Sequence, residues 1–104
     1  MAAARPPVRW SPDALSDLSE IWDYYVEVAG RHTADGAVRN IVAACALLDA
    51  HPSAGRARDE VRPGLRSIAV SPHVVFYRVT AGVAEVVRVL DGRRDLDEIF
   101  AEVP

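Results

Sequence analysis

The chain has 104 residues, half of them hydrophobic and 26% charged, with 12 basic side chains against 15 acidic ones and a formal net charge of -3. That length and balance describe one domain, 1–104, with a single core; they disfavour a disordered chain and a general nucleic-acid coat, which gains affinity from net positive charge. The longest apolar run, Ile41 to Leu48, falls far short of the roughly 20 residues that span a bilayer, and Cys45 alone can build neither an intrachain disulfide nor a cysteine zinc cluster.

Residues 1–7, Met-Ala-Ala-Ala-Arg-Pro-Pro, lack the apolar stretch of a secretory signal, so a flexible tail and a cytoplasmic location are expected. Val8-Arg9-Trp10 alternates as a short strand does. Ser11-Pro12-Asp13 reads as a helix start: a capping hydroxyl, a proline tolerated at the first helical position, and a carboxylate at the positive end of the dipole. Leu15, Leu18, Trp22, Tyr25 and Ala29 then form an apolar stripe, with Asp13, Asp17, Glu20, Asp23 and Glu27 largely opposite, until Gly30 ends the helix. Thr33 is expected to cap a second helix that buries Val38, Ile41, Val42, Cys45 and Leu48 and closes at His51-Pro52, making an antiparallel hairpin with the first.

Residues 53–64, rich in charge, glycine and proline, read as a loop. From Leu65 the period becomes strand-like. Leu65 to Val70, His73 to Thr80 and Val83 to Leu90 follow one another across the breaks Ser71-Pro72 and Ala81-Gly82, an antiparallel meander. Asp91 to Arg94 is a turn, and Asp95 to Val103 has the pattern of a short terminal helix. The order is β-α-α-β-β-β, an α+β fold in which a helical hairpin covers one face of a small antiparallel sheet.

All 12 basic residues are arginines, and they are unevenly placed: four against seven carboxylates in residues 1–52, eight against four in 56–94, and none against four in 95–104. Arg66, Arg78 and Arg88 lie in three different strands, with Arg93 and Arg94 just after. On a shared face they would form a planar-donor patch for carboxylates or phosphates; strand alternation limits this, grouping Arg78 with Phe76 and Thr80, and Arg88 with Val86 and Leu90. The competing reading is ordinary surface pairing with Glu85, Asp91, Asp95 and the first helix, and a genome rich in G and C would also supply arginine everywhere.

GxGxxG, GxxxxGK[ST], GxSxG and HExxH motifs do not occur, nor does any His/Cys/Asp cluster with metal spacing, so neither cofactor nor metal is expected. His32 falls in a turn and His51 at a helix C-terminus. His73, which opens a strand, is the one candidate acid or base, set against the commoner case of an exposed turn histidine. Trp10, Trp22, Tyr24 and Tyr25 could stack on bases, but Trp22 and Tyr25 continue an apolar stripe and read as core anchors.

Five segments in order resemble the ParE toxins of the RelE/ParE superfamily: Ser11 to Tyr25, His51 to Arg56, Arg62 to Ser67, His73 to Val79 and Glu85 to Asp95. The resemblance implies a toxin of a bacterial type II toxin–antitoxin pair that inhibits DNA gyrase by binding, without catalysis, and is neutralised by a ParD-like antitoxin. It also implies the hairpin-over-sheet fold. Arg66, Tyr77, Arg78, Arg88, Arg93 and Arg94 become the candidate partner contacts, with no membrane and no sequence-specific nucleic-acid binding. The alternative is a ribosome-dependent mRNA endonuclease similar to RelE, which needs a base for the 2′-hydroxyl and cations for the developing phosphorane charge. Asp91 stands where the family commonly has a histidine after Arg-Val-Leu, which removes one acid-base group.

Overall fold

The computed structural model describes residues 8–92; the expected tail over 1–7, Arg93 and Arg94, and the expected helix over 95–103 lie outside the described residues. Strand β1 (Arg9–Trp10) leads into α1 (Pro12–Ala29) and α2 (Arg31–Ala50), followed by β2 (Arg56–Ala57), β3 (Arg66–Val70), β4 (His73–Thr80) and β5 (Val83–Asp91). The expected α+β arrangement holds with one strand added, β2, inside the segment read as a loop. The sheet is mixed, in the order β1-β5-β4-β3-β2: β1 runs parallel to β5, and every other pairing is antiparallel. No helix among the described residues is long and apolar enough to cross a membrane.

Helix α1 starts as its sequence dictates: the Ser11 hydroxyl accepts the Ala14 N–H at 3.0 Å while itself donating to the Val87 carbonyl at 2.9 Å. One side chain thus caps the helix and ties it to β5. At the far end the two helices share a single residue. Gly30 sits at φ 90°, ψ 168°, a region essentially restricted to glycine; its N–H donates to Val26 and its carbonyl accepts from Ala34. Helical bonding therefore begins at Gly30, three residues before Thr33, so Thr33 is not the cap expected; α2 has no side-chain cap.

The core lies between the hairpin and the sheet: Ala14, Ile41, Cys45 and Leu48 meet Val75, Tyr77, Ala84, Val86 and Val89. Fully burying a large apolar side chain contributes about 1.5–3 kcal/mol. Three positions of the expected stripes are exposed, Leu15 at 54%, Val42 at 43% and Ala29, while the carboxylate of Asp17, expected on the polar side, is buried. On the other face of the sheet Leu65, Phe76 and Leu90 form a smaller cluster flanked by Val61, Val74 and Val87. A β-bulge explains how β5 serves both: Phe76 pairs with Arg88 but Tyr77 with Val86, leaving one extra residue on β5. The bulge shifts the alternation, so Val86 and Val89 both reach the helix side, and Leu90 the other, not the shared face with Val86 expected for it.

Candidate functional site

The sequence places Arg88 in a strand beneath an acidic helix, and the fold closes that gap. Asp17 accepts from Arg88 Nε at 2.8 Å and Nη2 at 3.0 Å, and its Oδ2 also takes the Val89 backbone N–H at 2.8 Å. A two-pronged guanidinium–carboxylate pair is the strong form of this contact. The Asp17 hydrogen bond holds the Arg88 guanidinium above its ordinary range, against the opposing effect of burial, with the charges of Asp17, Asp13 and Glu20 adding to it. Arg88 is thus bound to α1 rather than presented to solvent.

Arg66 and Tyr77 are cross-strand neighbours that fasten the segment after α2. Arg66 Nη1 donates to the carbonyls of Gly55 at 2.8 Å and Ser53 at 3.3 Å; the Tyr77 hydroxyl donates to Pro52 O at 2.7 Å and accepts the Gly55 N–H at 2.8 Å. A Cβ on Gly55 would stand 2.5 Å from that hydroxyl and 2.8 Å from the Ser67 carbonyl, so the close approach requires glycine. Arg78 points to the face away from the helices and pairs with Glu85 at 2.9 Å, its side chain still 55% exposed. Arg66 and Tyr77 therefore work together, Arg88 works with α1, Arg78 stands apart on the opposite face, and Arg93 and Arg94 lie outside the described residues.

His73 opens β4 opposite Asp91 and lies edge-on to Tyr25, with ring centroids 6.2 Å apart. Burial lowers its pKa, with the Asp91 charge opposing. It lines two neighbouring clefts: one of about 360 Å³ between α1 and the ends of β4 and β5, bordered by Glu20, Tyr24, Tyr25 and Asp91, and one of about 420 Å³ between α2 and the β3–β4 turn, bordered by His32, Gly36 and Asn40. Tyr24 and Val28, one helical turn apart, are 60% and 58% exposed beside the first cleft. Of the two expected core anchors, Tyr25 packs edge-on to His73, whereas Trp22 is only partly buried and donates its indole N–H to Asp35 at 2.9 Å, joining the two helices rather than entering the core cluster.

Sequence reasoning missed the pivotal carboxylate. Asp17 falls three residues after Ala14 and four before Ile21, the spacing of one helical face, and that was its available signal.

Comparison with known proteins agrees with this architecture. The family model for the ParE toxin of the type II toxin–antitoxin system parDE matches residues 8–96. Toxin ParE1 of Mycobacterium tuberculosis (strain ATCC 25618 / H37Rv) is 43% identical over 88 residues, covering 84% of this chain and 90% of that protein. Toxin ParE1 of Caulobacter vibrioides is 38% identical over 84 residues, covering 81% and 86%. Among solved structures, the chromosomal ParDE TA system from P. aeruginosa superposes with a TM-score of 0.74 at 27% identity, covering 84% of this chain and 96% of that one.

Proposed function

Because this chain belongs to the ParE toxin family of type II toxin–antitoxin systems, we propose that it inhibits DNA gyrase by binding and is held inactive by a ParD-like antitoxin. The likeness to a solved ParDE system supports the antitoxin partner. The observation that carries binding over catalysis is the direction of the arginines. An RNase of the RelE kind must aim cations at a phosphorane, whereas Arg88 is spent on Asp17, Arg66 on the carbonyls of residues 53–55, and Arg78 on Glu85. Arg78, the exposed one, is the partner contact carried forward from the sequence.

Supercoiling by purified gyrase, with and without the protein, tests the target: inhibition is expected at molar excess, and its absence overturns the gyrase assignment. The endonuclease alternative predicts cuts in ribosome-bound message that vanish with Arg78→Ala or Arg88→Ala. The antitoxin assignment is tested by co-expression with the neighbouring gene, which should restore growth and yield a stable complex.

A further inference from the structure

We propose that the exposed face of α1 docks on the basic, DNA-binding surface of the target enzyme, in the place of the duplex. The proposal rests on the gyrase reading above and names the surface and the chemistry of that contact.

Helix α1 carries carboxylates at 13, 17, 20, 23 and 27 and no basic residue. Asp17 is turned inward onto Arg88. Asp13, Glu20, Asp23 and Glu27 are exposed and form neither an ion pair nor a side-chain hydrogen bond among the described residues; Asp13 and Glu20 act on Arg88 only as nearby charges. At about 100° and 1.5 Å per residue, the four fall within an arc of about 80° and extend over about 21 Å of helix. One strand of duplex DNA sets about six phosphates along that length. Tyr24, 60% exposed, borders the same arc and supplies a large amphipathic ring to the face.

The fold of the free protein gains nothing from this pattern. Asp23 stands three residues from Glu20 and four from Glu27, spacings at which like charges on a helix repel, and Glu27 lies in the last turn, at the negative end of the dipole, where α1 has no basic residue. A face kept against local stability in this way is the mark of a binding surface. The occupant that reverses the repulsion is a surface rich in lysine and arginine. An enzyme that holds duplex DNA presents one, because neutralising phosphates supplies much of its affinity, and aligned carboxylates compete for the same cations.

Displacement of a fluorescent linear duplex from purified gyrase, followed by anisotropy, tests the proposal on wild type and on Glu20→Gln/Asp23→Asn/Glu27→Gln. Wild type should displace the duplex, and displacement should weaken as salt is raised from about 50 to about 200 mM. The triple variant should need roughly tenfold more protein, or higher, for the same displacement and the same inhibition of supercoiling. Its own melting temperature should rise, since the like-charge spacings and the anion at the helix C-terminus are gone. A duplex that stays bound while supercoiling is inhibited, a triple variant as potent as wild type, or a fall in its melting temperature each overturns the docking surface while the gyrase reading stands. A wild type that leaves supercoiling untouched overturns the gyrase reading, and this surface with it. Loss of affinity for the antitoxin in the triple variant, with inhibition retained, assigns the face to the antitoxin instead and overturns the proposal.

Discussion

Asp17→Ala is the sharpest test of how α1 is joined to the sheet. In the native protein Asp17 is 6% exposed and satisfies three donors, two on Arg88 and the backbone N–H of Val89, itself 2% exposed. Truncation leaves a guanidinium without its counter-charge and an amide without an acceptor. Breaking a buried pair costs about 3–5 kcal/mol, and an orphaned buried N–H about 1–3 of that. The Arg88 side chain keeps 20% exposure, so solvent recovers part of its charge, and we expect a net loss of about 2–4 kcal/mol. With a urea dependence of roughly 1–1.5 kcal/mol/M for a domain of this size, the unfolding midpoint should fall by about 2 M. Asp17→Leu combined with Arg88→Met should recover part of the loss by removing both charges, but not all, because Val89 N–H stays unpaired. A loss below about 1 kcal/mol for Asp17→Ala would refute the argument, since it would place the network among exposed ion pairs.

Tyr77→Phe removes the hydroxyl shared by Pro52 and Gly55 and should cost about 1–3 kcal/mol in urea unfolding, whereas Gly55→Ala, forced against that ring and the Ser67 carbonyl, should cost at least as much. Ala81 turns β4 into β5 at φ 52°, a left-handed conformation, so Ala81→Gly should raise stability by about 0.5–1 kcal/mol; no gain would count against a primed two-residue turn. Burial holds the pKa of His73 below its ordinary 6.5, so the unfolded chain binds the proton more tightly and stability should fall as pH drops below that value. Unfolding measured at a series of pH values should show the slope in wild type and lose it in His73→Phe. Burial also pushes the Cys45 thiol up to about 12, so a thiol reagent at neutral pH should label the native protein only as fast as it unfolds.

The helices and the three long strands were legible because their signals are local: an Ser-Pro-Asp start, a glycine stop, and runs of Val, Phe and Tyr between turns. Strand β2 was not, since Arg56 and Ala57 carry no strand preference, and their pairing is imposed by Tyr77 and Arg66 gripping the preceding turn from another part of the chain. The bulge on β5 was equally hidden: Val86 to Leu90 reads as a regular strand, and only the buried Asp17, 72 residues from Val89, supplies the acceptor that holds the irregular backbone. The same long-range pairing took Arg88 out of the expected solvent-facing set. Arginines in the sheet were easy to find from sequence; what each one holds depended on contacts between segments.

The single-residue joint at Gly30 sets where members of this architecture can change length. Each residue advances a helix by about 100°, and both backbone groups of Gly30 are already committed, one to each helix. A residue inserted just after this joint, in the first turn of α2 before Ala34, would turn Ala34, Ile41, Cys45 and Leu48 relative to Gly30 by that angle and part Trp22 from Asp35. Length variation should therefore collect between β2 and β3, in the charged stretch from Arg58 to Gly64, while the spacing from Trp22 to Asp35 stays fixed.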